Sequence, residues 1–260
     1  MLEIIKKDNE ITARWYQENA LRTMNNFENA TLLKLNAYTG IIGEYGEFFD
    51  YIKKLYTHNL EKSQQQKILE LAPKELGDLV WYLSTFLAVA YNYTLDEIYE
   101  FILHNNIKAY QINSDLISKA SLSQDPLCDK LNISPSYSIN AINSVLNKEY
   151  NKIELNEQSV FLILLEFKKK LNKLDYITTR EEAIKVVSNI FIEIATISHL
   201  FFNKNLSEIL EDNIEKLRKR YPEGFDNNIA NIRIDKNQEY KDDKKEVYHL
   251  TKILSPKKVD

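Results

Sequence analysis

The chain is poor in residues that interrupt helices, with five glycines and five prolines among 260 residues. A β-rich fold of this length needs many more turn residues, so the scarcity predicts long helices joined by short loops. Cys128 is the only cysteine, which excludes an intramolecular disulfide and makes the cytoplasm the expected compartment. The opening MLEIIKKDNE lacks the apolar centre of a signal peptide. No uninterrupted apolar run of about 18 residues is present, so no membrane span is expected. Basic surplus is missing too: the net charge is −4, which argues against a nucleic-acid partner but leaves room for a small phosphorylated ligand carried with metal ions.

Hydrophobic residues at 44% and charged residues at 28% are ordinary for a globular chain with a sizeable core. Helical periodicity runs from Thr12 to Met24 and from Asn29 to Tyr56, the second with a broad apolar stripe that includes Ile41, Phe48 and Ile52. A polar connector, His58 to Gln66, precedes a third helix carrying Ile68, Leu71, Leu76, Leu79, Leu83 and Leu87, with Pro73 tolerable if it falls within the first turn. Thr94, with Glu97 three residues on, predicts the N-cap of a fourth helix that reaches about Gln111. The expected fold is therefore all-α, a four-helix bundle over residues 1–112. Residues 113–137, dotted with serine and with Pro126 and Pro135, read as a linker. Periodicity resumes in Val160 to Leu174, Arg180 to Phe202 and Leu206 to Arg220, within a second helical region over residues 138–225. Residues 226–260 read as a polar tail.

The segment GIIGEYGEFFDYIKK places Glu44 and Glu47 one helical turn apart on one face, and KELGDLVWYL repeats the device with Glu75 and Asp78. If the two helices pack antiparallel, four carboxylates converge on one all-oxygen cage suited to Mg²⁺ or Mn²⁺. Without a cation, four like charges inside a bundle would repel strongly. Acid pairs at this spacing also occur at Glu97 and Glu100, Glu154 and Glu157, and Glu208 and Glu211, where a solvated helix face is the ordinary explanation. The first two pairs differ because Gly40, Gly43, Gly46 and Gly77 are interleaved with them, although glycine inside a helix costs about 1 kcal/mol relative to alanine. The four histidines are scattered without metal-ligand spacing, and Cys128 has no partner histidine at a recognisable spacing.

GEYGE, then Lys53 and Lys54, then ELGDLVWYL, together with NIEKLRKRYPEGF at Asn213 to Phe225, closely resemble the MazG-like nucleotide pyrophosphohydrolases of the all-α NTP pyrophosphatase superfamily. The resemblance spans residues 12–112 and 206–225. It implies that Glu44, Glu47, Glu75 and Asp78 bind Mg²⁺. It further implies hydrolysis of a nucleoside triphosphate, canonical or deoxy, to a monophosphate and pyrophosphate, as nucleotide-pool cleaning. Glu47 is the expected water-orienting base, although the sequence does not separate it from Glu44. Lys53 or Lys54, two turns past Glu47, could reach a phosphate. Tyr82 shares the face of Asp78, and the resemblance implies a nucleotide contact for it, whereas Trp81 is expected in the core. Asn105 with Lys108, and Asn213 with Lys216, share an N-x-x-K spacing that the resemblance places on phosphate or base.

The resemblance puts the R-Y-P-x-G-F motif directly after the fourth helix, whereas here about 100 residues intervene. Within them, the stretch from Glu181 to Leu217 can be laid over Gln66 to Leu103, and SVFLILLEFKKKL over the helix of Glu44 and Glu47. That predicts a degenerate second copy forming a pseudo-dimer, with Val186 and Asn189 at the places of Glu75 and Asp78, and Glu166 in line with Glu47. A helical insertion decorating one domain is the competing expectation, and a homodimer stands beside the pseudo-dimer. The alternative functions are phosphoribosyl-ATP pyrophosphohydrolase and a non-catalytic nucleotide or metal sensor.

Overall fold

The computed structural model describes residues 11–24, 29–110, 139, 142 and 155–225, with side chains of the fourth helix described as far as Asn105. The expected linker 113–137, Cys128 and the tail 226–260 lie outside the described residues. All regular structure among the described residues is helical. It comprises α1 (Ala13–Leu21), α2 (Ala30–Thr57), α3 (Lys62–Tyr91), α4 (Leu95–Tyr110), α5 (Glu157–Asn172), a 3-10 turn (Lys173–Tyr176), α6 (Arg180–Phe202) and α7 (Leu206–Arg220).

Each helix starts where a side chain can satisfy the free N–H groups of its first turn. Thr12 caps α1 and Asn29 caps α2. Thr94 and Glu97 form the predicted capping box: the Thr94 N–H donates to Glu97 at 2.7 Å and the Glu97 N–H to Thr94 Oγ1 at 3.2 Å. Pro73 departs from expectation. It sits well inside α3, because the helix begins at Lys62 within the stretch read as a connector. The lost donor is that to the carbonyl of Leu69, a residue on the exposed side of the helix where water can replace it.

α3 is the hub. It packs on α2, α6 and α7, while α4 and α5 both pack on α6 and α1 closes over α3, α4 and α7. Leu76, Leu79, Val80 and Leu83 on α3 are fully buried, and each such side chain contributes roughly 1.5–3 kcal/mol of burial free energy. α6 is long and apolar enough to cross a membrane by length and hydropathy alone, but more than half of its apolar window is buried within the protein. It carries the buried Glu193, ion-paired to Lys170 of α5, as suits a core helix whose one buried charge is compensated. Phe48 of α2 meets Phe167 of α5 edge-on at 6.3 Å between ring centroids, and Tyr45 and Phe49 close around the same ring at 6.1 and 6.3 Å.

The α3–α4 and α6–α7 corners are built alike. α3 ends on Asn92 (φ 53°) and α6 on Asn203 (φ 50°), both left-handed. The next N–H reaches back in each case, Tyr93 to the Leu87 carbonyl and Lys204 to the Ser198 carbonyl. A capping box follows both, Thr94 with Glu97 and Asn205 with Glu208. Five buried residues of α4 (Leu95, Ile98, Tyr99, Ile102, Leu103) and five of the seven buried in α7 (Leu206, Ile209, Leu210, Asn213, Ile214) fall at identical spacings. Arg180 ties one corner to the other region: its guanidinium lies 3.8 Å over the Tyr93 ring and donates to Glu97 at 2.9 Å.

Candidate metal centre

α2 and α3 cross so that the faces bearing the acid pairs meet. An oxygen from each of Glu44, Glu75 and Asp78 lies within 4.8 Å of the other two, all three residues being half-buried. Burial is the first reason that the Glu44 carboxyl is pushed up to about 8. The charges of Asp78, Glu75 and Glu47 and a hydrogen bond to Glu75 add to it. Glu75 is raised as well, by burial and by Asp78 and Glu47, with its hydrogen bond to Glu44 and the Lys216 charge acting in the opposite direction. The two glutamates thus share a proton in the absence of a cation. Glu47, exposed on the next turn of α2, borders the group without joining those three oxygens.

Asp78 is held from α7. Lys216 Nζ contacts both of its carboxylate oxygens, and Asn213 Nδ2 donates to Oδ1 at 2.6 Å. Asn213 is itself oriented, since its Oδ1 accepts from the Tyr16 hydroxyl at 3.3 Å. Tyr16 is fully buried, and burial followed by the charge of Asp78 holds its hydroxyl well above the usual tyrosine range. It therefore serves as a neutral donor, and the order Tyr16, Asn213, Asp78 forms one chain from the core to the cluster.

Two of the interleaved glycines are explained by close approach. A Cβ at Gly77 would stand 3.1 Å from Asn213 Cβ and 3.3 Å from the Ile209 carbonyl, so α7 lies directly on the α3 backbone there. A Cβ at Gly40 would sit 2.2 Å from the Tyr82 ring. Gly43 and Gly46 differ from these, for among the described residues no atom outside their own stretch of helix lies within 4 Å of where their Cβ would be.

The remaining expected residues take different places. Lys53 and Lys54 both turn to Asp50, whose carboxyl they lower to about 2. Tyr82 lies across Gly40 and edge-on to Trp81, and Trp81 is buried with its indole N–H donating to the Ala20 carbonyl at 3.0 Å. Asn105 is exposed, its amide bonded to the Phe101 carbonyl within α4, and the Lys108 side chain lies outside the described residues. Counted from Asn92 and Asn203, Asn105 stands level with Lys216, and Ile102 with Asn213. In the second region, Asn189 is exposed and bonds back to Lys185, Glu166 pairs with Lys169, and no acid group of metal-binding size forms among the described residues there.

Tyr16 is the member that sequence reasoning missed, because an aromatic in the apolar stripe of α1 is indistinguishable from any core residue until its hydroxyl is seen on Asn213. The donor set of three half-buried carboxylates from two helices, all oxygen, fits a hard divalent cation, whose charge would offset the repulsion that lifts Glu44. No protein-family model, curated protein or solved structure matches the chain, so its function rests on the geometry of this site.

Proposed function

We propose that this protein is a Mg²⁺-dependent nucleotide pyrophosphohydrolase of the MazG-like kind, one chain forming a pseudo-dimer with a single active centre. The observation that carries the reading is the convergence of Glu44, Glu75 and Asp78 from two helices, where burial first and the neighbouring carboxylates after it raise Glu44 to about 8. Such an arrangement costs stability unless a cation is bound, and a chain retains it where the cation is useful.

Mg²⁺ bound there supplies charge neutralisation for the phosphate oxygens and for the departing pyrophosphate. The side chains do the rest. Glu47, exposed beside the cluster, orients the water that attacks the α-phosphorus and accepts its proton as the α–β anhydride bond breaks. The products are a nucleoside monophosphate and pyrophosphate. Tyr16 and Asn213 hold Asp78 in position, and Lys216 offers a donor that can pass from Asp78 to a phosphate oxygen. The pseudo-dimer is supported by the matching corners at Asn92 and Asn203, and by the reciprocal packing of α7 on α3 and of α4 on α6.

A second reading draws on Lys216, which already places an internal cation on Asp78: the cluster would sense metal or nucleotide without turnover. Incubation of the purified protein with Mg²⁺ and a panel of nucleoside triphosphates and phosphoribosyl-ATP decides between them. The expected products are monophosphate and pyrophosphate, abolished in Glu47→Ala. Release of inorganic phosphate with a diphosphate would overturn α-phosphorus attack, and tight binding with no turnover would establish the sensor.

A further inference from the structure

A cleft of about 580 Å³ opens between α3 and α7, lined by Lys74, Lys219 and Arg220, by Asn213 and Lys216, which contact Asp78, and by the acids Asp212 and Glu215. The cations follow from helix geometry. Lys74 lies one turn before Asp78 on the same face of α3, and Lys219 and Arg220 lie one turn beyond Lys216 on α7. Because Asp78 meets Asn213 and Lys216 while Lys74 shares the cleft with Lys219 and Arg220, the two helices run antiparallel and the cationic wall leads directly away from the acid cluster.

Basic residues in the last turn of a helix are ordinarily explained by the helix dipole. That accounts for part of α7, where Arg218 is spent on Asn19 at 2.8 Å and on the Trp15 ring. It does not account for Lys74, which is mid-helix on α3. Among the described residues neither Lys74 nor Lys219 makes an ion pair. A cation in the acid cluster would stand next to this wall and repel it. Asp212 and Glu215 offset part of that charge, and an anion long enough to touch both the cation and the wall would offset the rest; a phosphate chain has that length, with charge on every unit.

We propose that this cleft is the subsite for the distal phosphates of the substrate, with Lys74, Lys219 and Arg220 as its ligands, so that the departing pyrophosphate is held there. The assignment rests on the pyrophosphohydrolase reading for its chemistry, but the cleft can be tested without it. In EDTA, inorganic tripolyphosphate titrated calorimetrically into the full-length protein should bind. Lys74→Gln/Lys219→Gln should weaken that binding by at least about tenfold, with thermal melting and circular dichroism like the parent. Glu75→Gln should bind the anion at least as tightly as the parent. Under turnover with Mg²⁺, the double variant should raise KM for the nucleoside triphosphate and the inhibition constant for pyrophosphate together, leaving inhibition by the monophosphate product unchanged. Tripolyphosphate binding equal to the parent in a folded Lys74→Gln/Lys219→Gln overturns the subsite, even if nucleotides are hydrolysed. Binding lost in that variant, from a protein that hydrolyses no nucleotide, sustains the subsite and removes the enzymatic reading.

Discussion

The regions built on α3 and on α6 end in similar corners, yet among the described residues only the first gathers a cluster of carboxylates. Around α3, the neighbours α2 and α7 bring Glu44, Asn213 and Lys216 to Glu75 and Asp78. Around α6, the corresponding positions carry Val186 and Asn189, and the level positions on α4 are Ile102, buried, and Asn105, exposed. The region without the cluster carries instead an ion pair between the half-buried Lys170 and the buried Glu193, which is complete without any ligand. The contrast separates what folding requires from what a ligand requires. Both regions cap their helices and bury their stripes, whereas among the described residues only the first holds a carboxylate raised both by burial and by neighbouring carboxylates.

The sharpest way to break this comparison is to remove charge from one side and add it to the other. Glu75→Gln should lower turnover by at least about a hundredfold, the scale of losing one fixed charge at a reacting centre. Val186→Glu with Asn189→Asp should leave turnover unchanged, because α4 has no counterpart of Asn213 or Lys216. Activity measured with Mg²⁺ on both variants checks the pair of outcomes, and a gain in the second would show that α6 and α4 can build a second centre without counterparts of Asn213 and Lys216. Tyr16→Phe should weaken Mn²⁺ binding about tenfold, as loss of an orienting hydrogen bond behind a ligand does. Calorimetry reads this effect, and an unchanged affinity would reduce Tyr16 to a core residue.

Stability offers two further tests. Phe167→Ala, at the ring contact where the halves meet, should cost about 3–5 kcal/mol, measured by urea denaturation, and Phe48→Ala should match it. Thr94→Ala and Asn205→Ala should each cost about 1 kcal/mol, and a large difference between these two caps would break the equivalence of the corners.

The cluster also sets a pH dependence. Glu44 is raised from its ordinary 4.5 to about 8, so between those values the folded metal-free protein holds a proton that the unfolded chain has released. This stabilising contribution is full below about 4.5 and is lost as pH rises toward about 8. Melting in EDTA should therefore fall across that window and flatten in Glu44→Gln. Mg²⁺ must displace the proton, so its affinity should rise over the same range. A melting temperature in EDTA that climbs with pH would contradict the shared proton.

Much of the helical framework was legible because it depends on local chemistry. The Thr94 capping box and the limits of the helices at Arg180 to Phe202 and Leu206 to Arg220 follow from residues three or four apart. Pro73 was misplaced, since a tertiary contact face kept α3 helical through a residue that local rules put at its start. The pairing of Glu44 with Glu75 and Asp78 was readable from spacing. Glu47 stands at the same spacing but only borders the trio, because its place depends on the angle at which α2 crosses α3.

Sequence by itself determined that the chain forms long helices, that two of them carry acids one turn apart, and that glycines lie among those acids, because periodicity, caps and spacing act within a few residues. Tertiary structure alone decided that Asn213 and Lys216, some 135 residues from Asp78, complete its surroundings, that Tyr16 orients Asn213, and that Lys74 faces Lys219 across a cleft. Those relations depend on which helix faces lie opposite one another, and that choice is made by the packing of the whole core.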